Sequence, residues 1–239
     1  MTNKYPKVLL VSVTYDGKDY CFGDFYAQLK KLTYPGLSIL FCDNSTDSSY
    51  YNKLNNLKGN VTAIRVNPKG KTIAQALAES YKACRQYAIR CNFDYIFLLE
   101  SDNFLPHLSA IEQLMDHGKP VCSGIYPIGH GKESWFLLQQ NVAQAGQDVI
   151  VRDLKNGSDI MFIDGTVKEI FACGTGCTLI RKDIFTRIPF RFTPGQNYFP
   201  DTYFYMDLFS MGVKNFCDTS LICQHRNQVW STEQALTLK

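Results

Sequence analysis

The chain has 239 residues, 45% of them apolar and 20% charged, with 25 lysines and arginines against 22 aspartates and glutamates. That is ordinary globular composition, and the length accommodates one large α/β domain with a sizeable core. A formal charge of +3 is too small to mark a nucleic-acid binder by itself, and no apolar run reaches the roughly 18 residues that suggest a membrane-spanning helix.

The N-terminal stretch Met1 to Lys7 leads directly into a strand instead of a signal-peptide core, so the sequence reads as soluble and cytoplasmic. Nine cysteines, placed mostly in apolar strand contexts, suit reduced buried thiols better than a disulfide framework. The set Cys173, Cys177, Cys217, Cys223 and His225 invites a zinc reading, but it lacks the closely spaced Cys pairs of structural zinc sites.

Lys7 to Thr14 is strand-like, Phe22 to Leu32 has helical spacing, and Leu37 to Cys42 is a second strand. A short helix over Ser48 to Leu57, a strand over Val61 to Val66 and a long helix from Thr72 to about Cys91 follow, before the strand Tyr95 to Leu99. Such alternation predicts a mainly parallel sheet with right-handed crossovers. A helix from about His107 to Asp116 and a strand from Pro120 to Gly124 come next. From Glu133 the pattern becomes β-rich: Trp135 to Gln140, Val149 to Asp153, then Asn156-Gly157 and Ile160 to Asp164. Asn-Gly between alternating runs predicts a small β-hairpin insertion. The chain returns to core with Ile170 to Cys173, Cys177 to Ile180 and a helix near Lys182. It closes with a helix over Asp201 to Met211, a stop at Gly212 and a strand over Val213 to Cys223.

The strand ends carry the chemistry. Side chains alternate along a strand, so Glu100 and Asp102, one residue apart after Leu99, leave it on the same side and can share a cation. Open α/β sheets bind ligands at the carboxyl ends of their strands, and a divalent ion held by carboxylates presents phosphate oxygens well. A polar strand end running into a surface loop is the other reading of these residues. Thr14, Tyr15 and Asp16 end the first strand and Asp43 the second, where a nucleotide base would lie; a turn and helix cap over residues 44–47 is the alternative there. Lys71, in the loop Asn67 to Thr72, could face a diphosphate, although the loop lacks P-loop spacing.

Taken together, these segments resemble the nucleotide-sugar glycosyltransferases of the GT-A fold, in the broad family-2-like group. The resemblance spans about Lys7 to Asn227 and rests on Asp43-Asn44-Ser45-Thr46-Asp47, on Glu100-Ser101-Asp102 as a DXD-like motif, and on Cys173-Gly174-Thr175-Gly176. It rests also on Phe199-Pro200-Asp201 with Gly212 beyond, and on His225 after the last strand. It implies one glycosyltransferase domain over 1–239: a nucleotide-binding half at about 7–104, an acceptor-side half at about 105–227 and a tail at 228–239. Glu100, Asp102 and His225 would hold Mn2+ or Mg2+. Thr14, Tyr15, Asp16, Asp43, Lys71 and Ser101 would bind the donor nucleotide, with a UDP-sugar favoured, while Gly174, Thr175 and Gly176 would lie under the donor sugar. Asp201 would be the base that deprotonates an acceptor hydroxyl, giving inversion if it lies opposite the leaving group and leaving retention by another route open if it does not; helix capping is its structural alternative.

Pro200 stands where this group usually has Glu, and Asp207 where a basic residue is usual. The acceptor is open: a glycan or a nucleic-acid base would serve, and Trp135, Phe136 or Tyr126 could stack on a sugar. Two other function classes share a related core. A sugar-1-phosphate nucleotidyltransferase would need a Gly-rich arginine loop after the first strand, which Tyr15-Asp16-Gly17-Lys18 does not supply. A catalytically silent nucleotide-sugar-binding module fits the departures at Pro200 and Asp207.

Overall fold

The computed structural model describes residues 5–128, 135–136, 138–141, 151–153, 161–196 and 198–226. Strand β1 (Val8–Thr14) leads through a 3-10 turn (Asp16–Lys18) into helix α1 (Asp19–Leu29); β2 (Leu37–Asp43), α2 (Ser49–Asn55), β3 (Val61–Arg65), α3 (Ile73–Arg90) and β4 (Tyr95–Leu99) complete the first half. The second half comprises β5 (Asn103–Phe104), α4 (Ala110–Asp116), β6 (Val121–Ile125), β7 (Pro127–Ile128), β8 (Trp135–Phe136), β9 (Leu138–Asn141) and β10 (Val151–Asp153). It continues with β11 (Val167–Ile170), β12 (Ala172–Cys173), β13 (Cys177–Arg181), α5 (Lys182–Phe185), α6 (Pro200–Ser210), β14 (Asn215–Ile222) and β15 (Gln224–His225).

Eight strands form one sheet in the order β11-β14-β6-β13-β4-β1-β2-β3. Only β11 and β13 run against the others, so the sheet is mainly parallel. The period of two sorts β1 cleanly. Val8 and Leu10 face a core built with Phe22, Phe25 and Leu29 of α1, Leu54 of α2 and Ile111 of α4. Leu9 and Val11 face the other core, with Cys84 and Ala88 of α3, Phe185 of α5 and Phe204 of α6. Helices therefore cover both faces, as a largely parallel sheet requires. Each fully buried phenylalanine, such as Phe22 or Phe25, contributes roughly 1.5–3 kcal/mol of burial. Helix α3 starts where the Thr72 hydroxyl accepts from Gln75 N–H at 3.2 Å. It buries Ala76, Ser80, Cys84 and Ala88 at a spacing of four, a small-residue stripe that packs on the sheet.

The chain runs β1 to β2 to β3 in one direction and then crosses back to place β4 on the other side of β1. That reversal is the topological switch point where such sheets open a crevice at their strand carboxyl ends. The strand expected over 160–164 is absent from residues 161–164, where Asp164 instead takes the Thr166 N–H and hydroxyl (3.0 and 2.7 Å) and Gly165 adopts φ +82°, closing a turn. The run expected over 170–173 splits at Phe171: β11 joins the edge of the main sheet and β12 pairs with β9. The insertion is a three-stranded sheet, β10-β9-β12; the Asn156-Gly157 turn and the tail 228–239 lie outside the described residues. Among the described residues no helix is long and apolar enough to cross a membrane.

Candidate active site

The site is built at the end of β4. Glu100 N–H and the Asn103 side-chain amide both donate to the Gly176 carbonyl, at 3.0 and 2.9 Å, and Asn103 N–H donates to Glu100 O at 3.0 Å. These bonds fold residues 100–103 into a tight turn fixed to the start of β13. Across from it, β15 pairs antiparallel with β5 so that His225 lies opposite Asn103. Arg226 N–H donates to the Asp102 carbonyl at 2.8 Å. A long-range two-residue ladder thus delivers the imidazole to the acid.

His225 Nδ1 lies 3.0 Å from the Pro127 carbonyl, which can only accept, so Nδ1 carries the proton and Nε2 faces Asp102 Oδ2 at 3.5 Å. One ligand atom each from Glu100, Asp102 and His225 lies within 4.8 Å of the others. No cysteine-based group of this kind occurs among the described residues, where all nine cysteines are free thiols.

Electrostatics separates the two carboxylates. Burial pushes Asp102 up, but His225 and Lys18 outweigh it and hold its carboxyl down at about 2. Glu100 is pushed up to about 7, first by burial and then by the charge of Asp102. Burial pulls His225 down, yet its contact with Asp102 dominates and raises it above the usual imidazole value. Lys18 is the residue that sequence reasoning passed over: its ammonium donates to Asp102 Oδ2. Its only sequence signal is a basic residue just past the end of β1.

The glycines of residues 174–176 have a cause inside the protein. A Cβ on Gly174 would stand 2.1 Å from Tyr126 Oη, and one on Gly176 would stand 2.7 Å from that oxygen and 2.9 Å from Glu100 Oε2. Gly176 N–H donates to Tyr126 Oη at 2.9 Å, and the Tyr126 ring meets His225 edge-on with centroids 5.2 Å apart. Tyr126 is 6% exposed. It therefore braces the turn, Glu100 and His225 together and is not a platform on which an acceptor sugar could stack. Thr175, which shares a hydrogen bond with Tyr81, is buried too.

The residues expected on the nucleotide side divide into buried supports and accessible groups. Thr14 and Ser101 are buried, and Ser101 Oγ donates to Thr14 Oγ1 at 2.9 Å, tying the ends of β1 and β4. Asp43 is also buried: its Oδ1 takes both the N–H and the hydroxyl of Ser45 (2.9 and 2.5 Å), and Arg65 Nε stands 3.3 Å from Oδ2. Asp16 N–H in turn donates to Ser45 Oγ at 2.8 Å. Asp43 thus holds up the turn that carries Tyr15 and Asp16, both of which retain accessible surface. The Lys71 ammonium is held by Glu79 and by the Asn67 carbonyl.

Asp201 sits in the first turn of α6, one residue after Pro200 and two after the cap residue Phe199. Its Oδ1 accepts Thr202 N–H at 2.8 Å, and burial raises its carboxyl above the usual range. Its charge helps to raise the carboxyl of Glu100 and the hydroxyls of Tyr126 and Tyr81. Asp207, unusual in sequence, pairs with Arg191 at 2.8 Å.

No protein-family profile and no curated protein matches the chain. A solved structure of GalNAc-T7 with UDP, GalNAc and Mn2+ superposes with a TM-score of 0.62 at 10% identity, covering 93% of this chain. The fold is GT-A. This chain spans 44% of the length of that protein.

Proposed function

We propose that the protein is a metal-dependent glycosyltransferase that moves a sugar from a nucleoside diphosphate sugar, with a UDP-sugar favoured, to an acceptor hydroxyl. The observation that carries this reading is the convergence of Glu100, Asp102 and His225 within 4.8 Å at the switch point of a GT-A sheet. The UDP and Mn2+ of the GalNAc-T7 structure support the choice of ligands.

The donor set suits a divalent cation. Asp102 Oδ1 is buried and has no hydrogen-bond partner, an open acceptor at the place where an ion would be held. Two carboxylates with one imidazole favour Mn2+ over Mg2+, which prefers an all-oxygen shell. Such an ion, when bound, neutralises the charge that grows on a departing diphosphate. The chain's own residues do the rest. Tyr15 and Asp16 receive the base, Asp43 and Ser45 hold their turn, and Gly174 to Gly176 line the donor-sugar side, braced by Tyr126. Lys71 adds charge toward the diphosphate once it leaves Glu79.

Asp201 takes the proton of the acceptor hydroxyl on a carboxylate oxygen. Its buried setting raises its proton affinity, which moves a carboxylate base closer to working pH. Direct attack by the acceptor inverts the anomeric carbon, and NMR of the product anomer tests that assignment.

Incubation with nucleotide sugars and Mn2+ tests the function itself. Release of free nucleoside diphosphate supports transfer, whereas pyrophosphate release would indicate nucleotidyl transfer. Asp102→Ala and His225→Ala should each abolish metal-dependent donor turnover; near-normal activity in both would sink the assignment.

A further inference from the structure

Resting on the metal reading above, we propose that Lys18 is a tethered cation of this site: its ammonium occupies the carboxylate cluster when no divalent ion is bound and leaves Asp102 when one enters. Lys18 Nζ donates to Asp102 Oδ2, the same oxygen that His225 Nε2 faces at 3.5 Å. Glu100, when ionised, adds attraction for the same ammonium. One positive charge is thus already placed where two carboxylates and an imidazole converge, and a divalent ion in the same space would meet strong like-charge repulsion.

The root of this side chain is fixed and its length is free. Lys18 N–H donates to the Tyr15 carbonyl at 2.9 Å, and Gly17 N–H to Asp16 Oδ1 at 3.0 Å. Gly17 lies under the Tyr15 ring: a Cβ there would stand 2.2 Å from Tyr15 Cε2, so any other residue at 17 must displace that ring. The Lys18 side chain retains 16% exposure, so its four-carbon stem can swing outward without repacking the core. The turn that presents Tyr15 to a nucleotide therefore also presents the competing cation, and the affinity for metal is set by an exchange of cations at Asp102.

Two measurements on the full chain test the exchange. Free Mn2+ is titrated by its electron paramagnetic resonance signal in wild type, Lys18→Met and Lys18→Arg, with circular dichroism confirming the fold. Removing the tethered charge should tighten Mn2+ binding on the order of tenfold or more in Lys18→Met, with Lys18→Arg close to or weaker than wild type. Wild-type protein is also labelled with an amine-reactive ester and mapped by mass spectrometry, which needs no variant to fold. Lys18 should label faster with Mn2+ than without, while Lys31 and Lys53 stay unchanged.

If wild type binds Mn2+ but folded Lys18→Met binds it no more tightly, or if Mn2+ leaves Lys18 labelling unchanged, the exchange is overturned and the metal site stands. If neither wild type nor Lys18→Met binds Mn2+, the metal site falls as well.

Discussion

Gly174→Ala separates two explanations of the glycine turn. A methyl group at this position would lie 2.1 Å from Tyr126 Oη, 2.6 Å from Cζ and 3.2 Å from Cε1. The ring cannot retreat freely, because Tyr126 is buried, accepts the Gly176 N–H at its hydroxyl and packs against His225. Overpacking of this kind costs about 1–3 kcal/mol, and displacing the ring also loses the Gly176 N–H bond to Tyr126 Oη, worth about 1 kcal/mol. For a chain of this size each kcal/mol lowers Tm by roughly 2–4 °C, so a fall of about 4–16 °C in metal-free buffer follows from those two contributions. Tyr126→Phe alone should lose only the hydrogen-bond contribution. The double variant should be less destabilised than the sum of the two, with a coupling of roughly 0.5 kcal/mol or more, because the oxygen that the methyl strikes first is gone. Thermal melting of the four proteins gives the answer. A Tm for Gly174→Ala within a degree of wild type, with a raised KM for donor, would assign the glycine to substrate approach and refute the brace.

Glu100 makes the metal-free protein less stable at high pH. Its carboxyl holds a proton up to about 7 when folded against a reference of 4.5, so stability is lost as pH rises through that window; Glu100→Gln should recover roughly 2–3 kcal/mol at pH 8 and almost none at pH 4 in urea melts. For the same reason Mn2+ affinity should weaken below about pH 7, where Glu100 and His225 keep their protons, and a pH-independent titration would contradict the ligand set. Arg65→Met leaves the buried Asp43 carboxylate without its nearest cation and should cost on the order of 2 kcal/mol, reduced from the fully buried case because Arg65 is partly exposed; an unchanged denaturation midpoint would remove Asp43 from its supporting role. Asp201→Asn keeps the acceptor oxygen for Thr202 N–H but not the base, so kcat should fall about 10²–10⁴-fold with Tm preserved. A loss of Tm with kcat intact would make Asp201 a helix cap.

The parallel half was legible because each β-α step carries its own local period, and β1 to β4 appear within a residue or two of where alternation put them. Local signals failed where a turn or a partner far along the chain decides. Asp164 and Gly165 convert an apparent strand into a turn. The run 170–173 reads as one strand, yet its two ends join different sheets. Within the site, the acidic pair and His225 could be listed in order, but their approach depends on the β5-β15 ladder, which two-residue strands do not announce. The glycines at 174 and 176 were visible and their cause was not, since Tyr126 lies on a separate strand connection. Lys18 escaped for a similar reason: nothing periodic marks a side chain that reaches from the end of β1 to the end of β4. Asp207 looked anomalous only until Arg191 was placed beside it.

The central claim is that Glu100, Asp102 and His225 hold a divalent ion that presents a nucleoside diphosphate. Thermal melting with UDP, in the presence and absence of Mn2+, tests it most directly in wild type and Asp102→Asn. Wild type should gain about 2.7 kcal/mol at a UDP concentration 100 times Kd only when Mn2+ is present, and Asp102→Asn should lose that gain. Equal stabilisation by UDP without the metal, or an undiminished Mn2+-dependent gain in Asp102→Asn, would contradict it.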